Sequence, residues 1–179
     1  LGDVYKRQDT YSLLPAYYLK TGVEVMPKAK SNAEKAIQLN PKLAEAYTSL
    51  AWIQMTFEYD WLESEKNYKK AISLNPNYAT NYHWYGLLLN ISGKASEAIN
   101  YLKKALELEP TSLIIPTNLS QAYIFNNQSN LAMNAFDIAA KVNPDFPSNL
   151  WNYVRCQTDY KISINTLKNS VNDNPDRPM

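Results

Sequence analysis

Ala36-Ile37-Gln38-Leu39-Asn40-Pro41 returns as Ala71-Ile72-Ser73-Leu74-Asn75-Pro76. It comes back again as Ala105-Leu106-Glu107-Leu108-Glu109-Pro110 and as Ala139-Ala140-Lys141-Val142-Asn143-Pro144. With Pro175, these prolines are spaced 35, 34, 34 and 31 residues apart, and four of the five follow Asn. Proline cannot continue a helix, and it biases the residue before it toward extended backbone. Each recurrence therefore marks a helix end. A period near 34 residues with this punctuation predicts a stack of helical hairpins.

Composition agrees with that architecture. The 179 residues hold 18 Lys+Arg against 17 Asp+Glu, for a formal charge of +1, with 45% hydrophobic and 20% charged residues. That balance is globular, and it lacks the basic footprint of a nucleic-acid binder. Only four glycines occur, where average usage would give about a dozen. Glycine poverty disfavours tight hairpins and phosphate-cradling loops, which need positive φ or close backbone approach. A single cysteine, Cys156, cannot form an internal disulfide, and a single histidine, His83, cannot build a histidine-based metal site. No catalytic pair, metal set or cofactor site is expected, so the chain reads as non-catalytic.

The periodic positions carry a resemblance. Residues 79–112 place Tyr82, Tyr85, Gly86, Leu89, Ala98, Leu102, Ala105 and Pro110 at repeat positions 4, 7, 8, 11, 20, 24, 27 and 32. Residues 113–146 give Leu119, Ser120, Tyr123, Ala132, Phe136, Ala139 and Pro144, with Pro116 departing at position 4. Residues 44–78 give Tyr47, Leu50, Ala51, Tyr68, Ala71 and Pro76, with one extra residue around Tyr59-Asp60-Trp61. In residues 10–43 the second half matches, through Ala29, Ala33, Ala36 and Pro41. This pattern resembles the tetratricopeptide repeat (TPR) family. The resemblance implies an all-α, right-handed solenoid of about five hairpins over residues 10–175, with 147–175 a degenerate capping repeat.

Helices are expected near 10–21, 27–39, 43–57, 61–74, 78–91, 95–108, 113–126, 129–142, 147–159 and 161–173. Asp60-Trp61-Leu62-Glu63 predicts a capping box, Ser129 an N-cap and Gly93 a helix stop. Leu1–Gln8 resembles a translated library adapter, so residues 1–9 are expected to be an artefactual or disordered leader, with 176–179 a tail. No stretch approaches the ~18 apolar residues of a membrane span, and no signal pattern is visible, which predicts a cytoplasmic location.

The family resemblance also implies a binding face. TPR ligands are usually held by first-helix side chains at positions 2, 5, 9 and 12–13. Here that selects Tyr18, then Glu45, Thr48 and Trp52, then His83 and Asn90, then Gln121, and finally Trp151 and Arg155. Trp and Arg dominate interface energies, so Trp52, Trp151 and Arg155 lead, with packing between hairpins as the alternative role of Trp52. For Trp84, packing is the expected role. The face lacks a Lys/Arg cluster for an acidic C-terminus and suits an uncharged peptide or partner helix. The stretches Met26-Pro27-Lys28-Ala29-Lys30, Tyr59-Asp60-Trp61 and Tyr82-His83-Trp84-Tyr85-Gly86 further resemble repeats attached to bacterial winged-helix regulators, class III adenylyl cyclases and receptor-type Ser/Thr kinases. The functional expectation is a protein-interaction scaffold; the alternative is the regulatory segment of a larger signalling or transcription protein. Neither reading calls for direct contact with nucleic acid or membrane.

Overall fold

The computed structural model describes residues 22–143, all helix and turn. In chain order the helices are α1 (Gly22–Leu39), α2 (Ala44–Ile53), α3 (Trp61–Leu74), α4 (Ala79–Ile91), α5 (Ala95–Leu108), α6 (Ile114–Phe125) and α7 (Ser129–Val142). A π-helical turn, Gln54–Glu58, continues α2. Three antiparallel hairpins result, α2–α3, α4–α5 and α6–α7, and α1 packs against α2. Successive hairpins meet through α3 with α4 and α5 with α6, while the first helices α2, α4 and α6 touch in series. The architecture is an α-solenoid. The expected helices at 10–21, 147–159 and 161–173, the leader and the tail lie outside the described residues.

The proline-marked links are built alike. Each second helix closes with an amide bonding the carbonyl of the recurring alanine: Asn40 to Ala36, Asn75 to Ala71, Glu109 to Ala105 and Asn143 to Ala139. The chain then turns with Leu43 N to Asn40 O, Tyr78 N to Asn75 O and Ser112 N to Glu109 O. The asparagines before proline add a second bond. Asn40 Oδ1 accepts from Lys42 N, and Asn75 Oδ1 from Asn77 N, each at 3.1 Å. An Asx turn thus explains the Asn-Pro pair, since it holds the bend that proline begins.

The turns inside the hairpins are also periodic. Three described residues have positive φ: Tyr59 (58°), Gly93 (77°) and Asn127 (57°), spaced 34 apart. After α4, Lys94 N bonds Leu89 O and Gly93 N bonds Asn90 O. After α6, Gln128 N bonds Tyr123 O and Asn127 N bonds Ile124 O. Both are Schellman closures on a left-handed residue, so Gly93 ends α4 as expected.

The first hairpin closes differently. There Asp60 N reaches back to Gln54 O across the π turn. From helix start to left-handed residue, the second hairpin runs 79–93 and the first 44–59, one residue longer. The extra residue is absorbed in the widened turn upstream of Tyr59, rather than at Tyr59-Asp60-Trp61. Hydroxyls of Ser64 and Thr56 donate to the carbonyls of Ala51 and Trp52 at its entrance, both at 2.8 Å.

Three local expectations change. Asp60 caps α3 by accepting from Glu63 N, but Glu63 does not complete the box. The Asp60 amide is already bonded to Gln54 O, so the Glu63 carboxylate pairs with Lys66 instead. Ser129 is the first residue of α7, not its cap, because the Schellman turn makes Gln128 the cap, without a side-chain bond. Helix α1 is already helical at Gly22, the first described residue, so Pro27 lies inside it and not at its start. The missing proline N–H forfeits one bond, to the carbonyl of Val23. Burial of Val25 and Met26, the latter against Ile53 and Phe57, offsets that loss.

The core alternates small and large residues. Ala51, Ala98, Ala105, Ala132 and Ala139 are buried, and Tyr68, Leu102 and Phe136 fill the intervals. A Cβ on Gly86 would come within 2.7 Å of Leu102 Cγ, so that helix crossing requires glycine. Glu65 of α3 bonds Lys69 on its own helix and reaches Tyr85 Oη of α4 and Lys94 in the turn before α5. These cations and the hydroxyl, led by the Lys69 bond, hold its carboxyl below the ordinary value.

Candidate functional site

The first helices α2, α4 and α6 lie side by side, and their shared face carries the expected binding positions. Trp52 of α2 stacks on Trp84 of α4, ring centroids 4.5 Å apart at 35°. Both indoles are half-buried against the main core. Trp84 therefore packs, as expected, and Trp52 packs with it. Next along the face, His83 Nε2 lies 2.7 Å from Asn118 Nδ2, bridging α4 to α6. Burial pushes the imidazole from 6.5 down to about 4, so His83 is neutral near pH 7. A neutral ring with Nε2 unprotonated accepts from the asparagine amide.

The remaining positions divide by exposure. Glu45 and Gln121 are half-buried and accessible on the face. Thr48 is wholly buried, and its hydroxyl donates to Ala44 O within α2. Asn90 is buried too, with Oδ1 unbonded by any protein group. Neither offers a surface to a ligand. The reason is tertiary: helical position fixes the direction of each side chain, while burial depends on how closely the next first helix approaches. Tyr18, Trp151 and Arg155 lie outside the described residues.

Sequence reasoning passed over Asn118, which completes the histidine bridge. The signal was available, because Asn118 stands 34 residues after Trp84, at the same repeat position. On both bridges, the residue at that position is the one that meets the preceding first helix. Among the described residues no group of three His, Cys, Asp or Glu side chains is placed to hold a metal ion. No described helix is long and apolar enough to cross a membrane. Among the described residues the face has the chemistry of a contact surface: stacked indoles, neutral amides and a single carboxylate.

Two tetratricopeptide-repeat family models match the chain, over residues 67–100 and 89–155. Residues 67–155 carry tetratricopeptide repeats. The fold is also found in solved structures. YrrB, a TPR protein with an unusual peptide-binding site, superposes at TM-score 0.69 with 17% identity, covering 96% of this chain and 86% of its own. TTC0263, a thermophilic TPR protein of Thermus thermophilus, superposes at TM-score 0.66 with 19% identity, covering 83% and 80%. By sequence, the chain is 32% identical over 116 residues to Protein O-mannosyl-transferase TMTC1 of Homo sapiens. That match takes in 63% of the chain but spans only 13% of the transferase.

Proposed function

We propose that this TPR array is a non-catalytic scaffold that binds an uncharged peptide or partner helix along the face of α2, α4 and α6. The observation that carries the reading is the Trp52–Trp84 stack, which bridges two first helices on a face where Glu45 is the charge among the described residues. Stacked, half-buried indoles give a large contact area at low entropic cost, as interface anchors do. The peptide-binding site of YrrB, a fold relative, supports a peptide as the ligand. Trp151 and Arg155, expected from the repeat pattern to belong to the same binding set, lie outside the described residues. The transferase relative does not argue for catalysis here, because the matched segment is a small part of that protein.

Peptides selected from a displayed random library against the wild-type chain supply the probe. The Trp52→Ala variant is expected to weaken the selected peptides at least about tenfold, with the helical circular-dichroism spectrum unchanged. Unaltered affinity, or loss of the melting transition, would remove Trp52 from the binding role. The resemblance of Tyr59-Asp60-Trp61 and His83–Gly86 to regulator-attached repeats gives the same face a second context, as the sensing arm of a larger signalling or transcription protein. Sequencing the coding DNA on both sides of this segment decides it, by finding or not finding an adjoining output domain.

A further inference from the structure

The 34-residue period allows each hairpin to be compared with the next, and two positions break ranks on surfaces away from the first-helix face. The first is a protrusion. The turn residues Gly93-Lys94-Ala95-Ser96 and Asn127-Gln128-Ser129-Asn130 are small or polar, but the equivalent turn in the first hairpin is Tyr59-Asp60-Trp61-Leu62. Its three large side chains are exposed by 74%, 43% and 67%.

The second is an apolar hollow. Tyr101 of α5 lies edge-on against Tyr85 at 4.5 Å and near Tyr82 at 6.3 Å. One period later the corresponding residues are Ala135, Leu119 and Pro116, so three rings are missing from the α6–α7 hairpin. A cavity of about 330 Å³ opens there between α5, α6 and α7, lined by Leu106, Leu119, Tyr123, Leu131, Ala135 and Ile138. Its mouth is apolar for a matching reason. The preceding hairpins carry Glu63 and Lys70, then Glu97 and Lys104, at the places where Leu131 and Ile138 stand. Both are exposed, by 43% and 37%. The cavity is large enough for an aromatic anchor and its neighbour.

We propose that the Tyr59–Leu62 turn of one copy of this chain inserts into the α5–α6–α7 hollow of a second copy. The two features match in size and polarity, a cluster of rings against a site that has lost its rings. The charges on the rim fit as well: Glu107 is paired with Lys104, which leaves Lys103 without an ion-pair partner among the described residues to face Asp60, whose carboxylate caps α3 but is in no ion pair there. Among the described residues of one chain both features stand uncovered, and neither fills the other. Because the two surfaces differ, the contact is heterologous: each copy keeps a free turn at one end and a free hollow at the other. Such contacts propagate head to tail unless a rotation closes them.

The test is sedimentation velocity of the full chain over a wide concentration range. The wild type is expected to rise from the 20.5 kDa monomer through dimer to larger species. One variant, Trp61→Ala with Leu62→Ser, installs the residues of the α4–α5 turn. The other, Leu131→Glu with Ile138→Lys, installs the outer-face residues of α5. Each is drawn from a neighbouring hairpin that tolerates it, and thermal melts verify the fold. Each variant alone is expected to lose association at least about tenfold. A mixture is expected to form a one-to-one complex, since one partner keeps its hollow and the other its turn. Ala135→Tyr, which returns the missing ring, should block the hollow as well. A wild type that stays monomeric at every concentration overturns the proposal. So does association that survives both variants, or a mixture that fails to pair.

Discussion

At the scale of single residues, His83 is the group whose chemistry is most altered by the fold. Its neutral form accepts from Asn118, and burial lowers its pKa from 6.5 to about 4. The unfolded chain takes up a proton near pH 6.5, while the folded chain resists until about pH 4. The stability this residue contributes is therefore fully present above pH 6.5 and is lost as the pH falls through 4. At ~1.4 kcal/mol per pKa unit, the loss is at most on the order of 3–4 kcal/mol. Urea midpoints recorded from pH 7 to pH 4 should fall, and His83→Gln, which keeps a hydrogen-bonding side chain, should flatten the part of the slope due to His83. Equal slopes in both proteins would place the acid sensitivity elsewhere, among the carboxylates. The period made His83 and Trp52 legible as first-helix residues. It could not show that Thr48 and Asn90 are buried, because that depends on the neighbouring helix and not on position in the repeat.

At the scale of elements, the turns were the most readable feature and the widened α2 end the least. Asn-Pro punctuation located the ends of α1 and α3, because the Asx turn and the proline act within four residues. The surplus residue of the first hairpin was visible only as a count, since a π turn has no sequence signature of its own. Its consequence is that Tyr59, a bulky residue, occupies the left-handed position held by Gly93 and Asn127 elsewhere. That conformation costs a non-glycine residue roughly 1–2 kcal/mol. The Tyr59 side chain is largely exposed, so its removal forfeits little packing. Tyr59→Gly is thus expected to stabilise the protein by about 1 kcal/mol in urea unfolding, after the entropic cost of glycine in the unfolded state. Destabilisation would mean that the Tyr59 ring makes a contact outweighing its strain. A stabilised variant would show that sequence has kept a strained aromatic residue on the surface, as the head-to-tail contact requires.

For the whole molecule, the solenoid sets how stability is distributed. Each hairpin touches its neighbours alone, so stability is close to a sum of hairpin and interface terms. The α4–α5 hairpin has neighbours on both sides and holds the wholly or almost wholly buried Tyr85, Leu88, Leu89 and Leu102. Among the described residues α1 has α2 as its partner, and its cluster of Met26, Ala29 and Ile53, joined by Phe57, is separate from the main core. Pro27 further removes a hydrogen bond from α1. Among the described residues, opening α1 therefore breaks one interface, whereas opening α4–α5 breaks two. Native-state hydrogen exchange in increasing denaturant should resolve two levels of protection. The amides of α1 should exchange through a partial opening at least about 1–2 kcal/mol below the global value reached by Leu89 and Leu102. The Ile53→Ala variant should widen that gap, because it empties the α1 cluster while leaving the α4–α5 interior intact. A single opening free energy for all protected amides would instead show that the array unfolds as one unit, with the α1–α2 interface as strong as those farther along the chain.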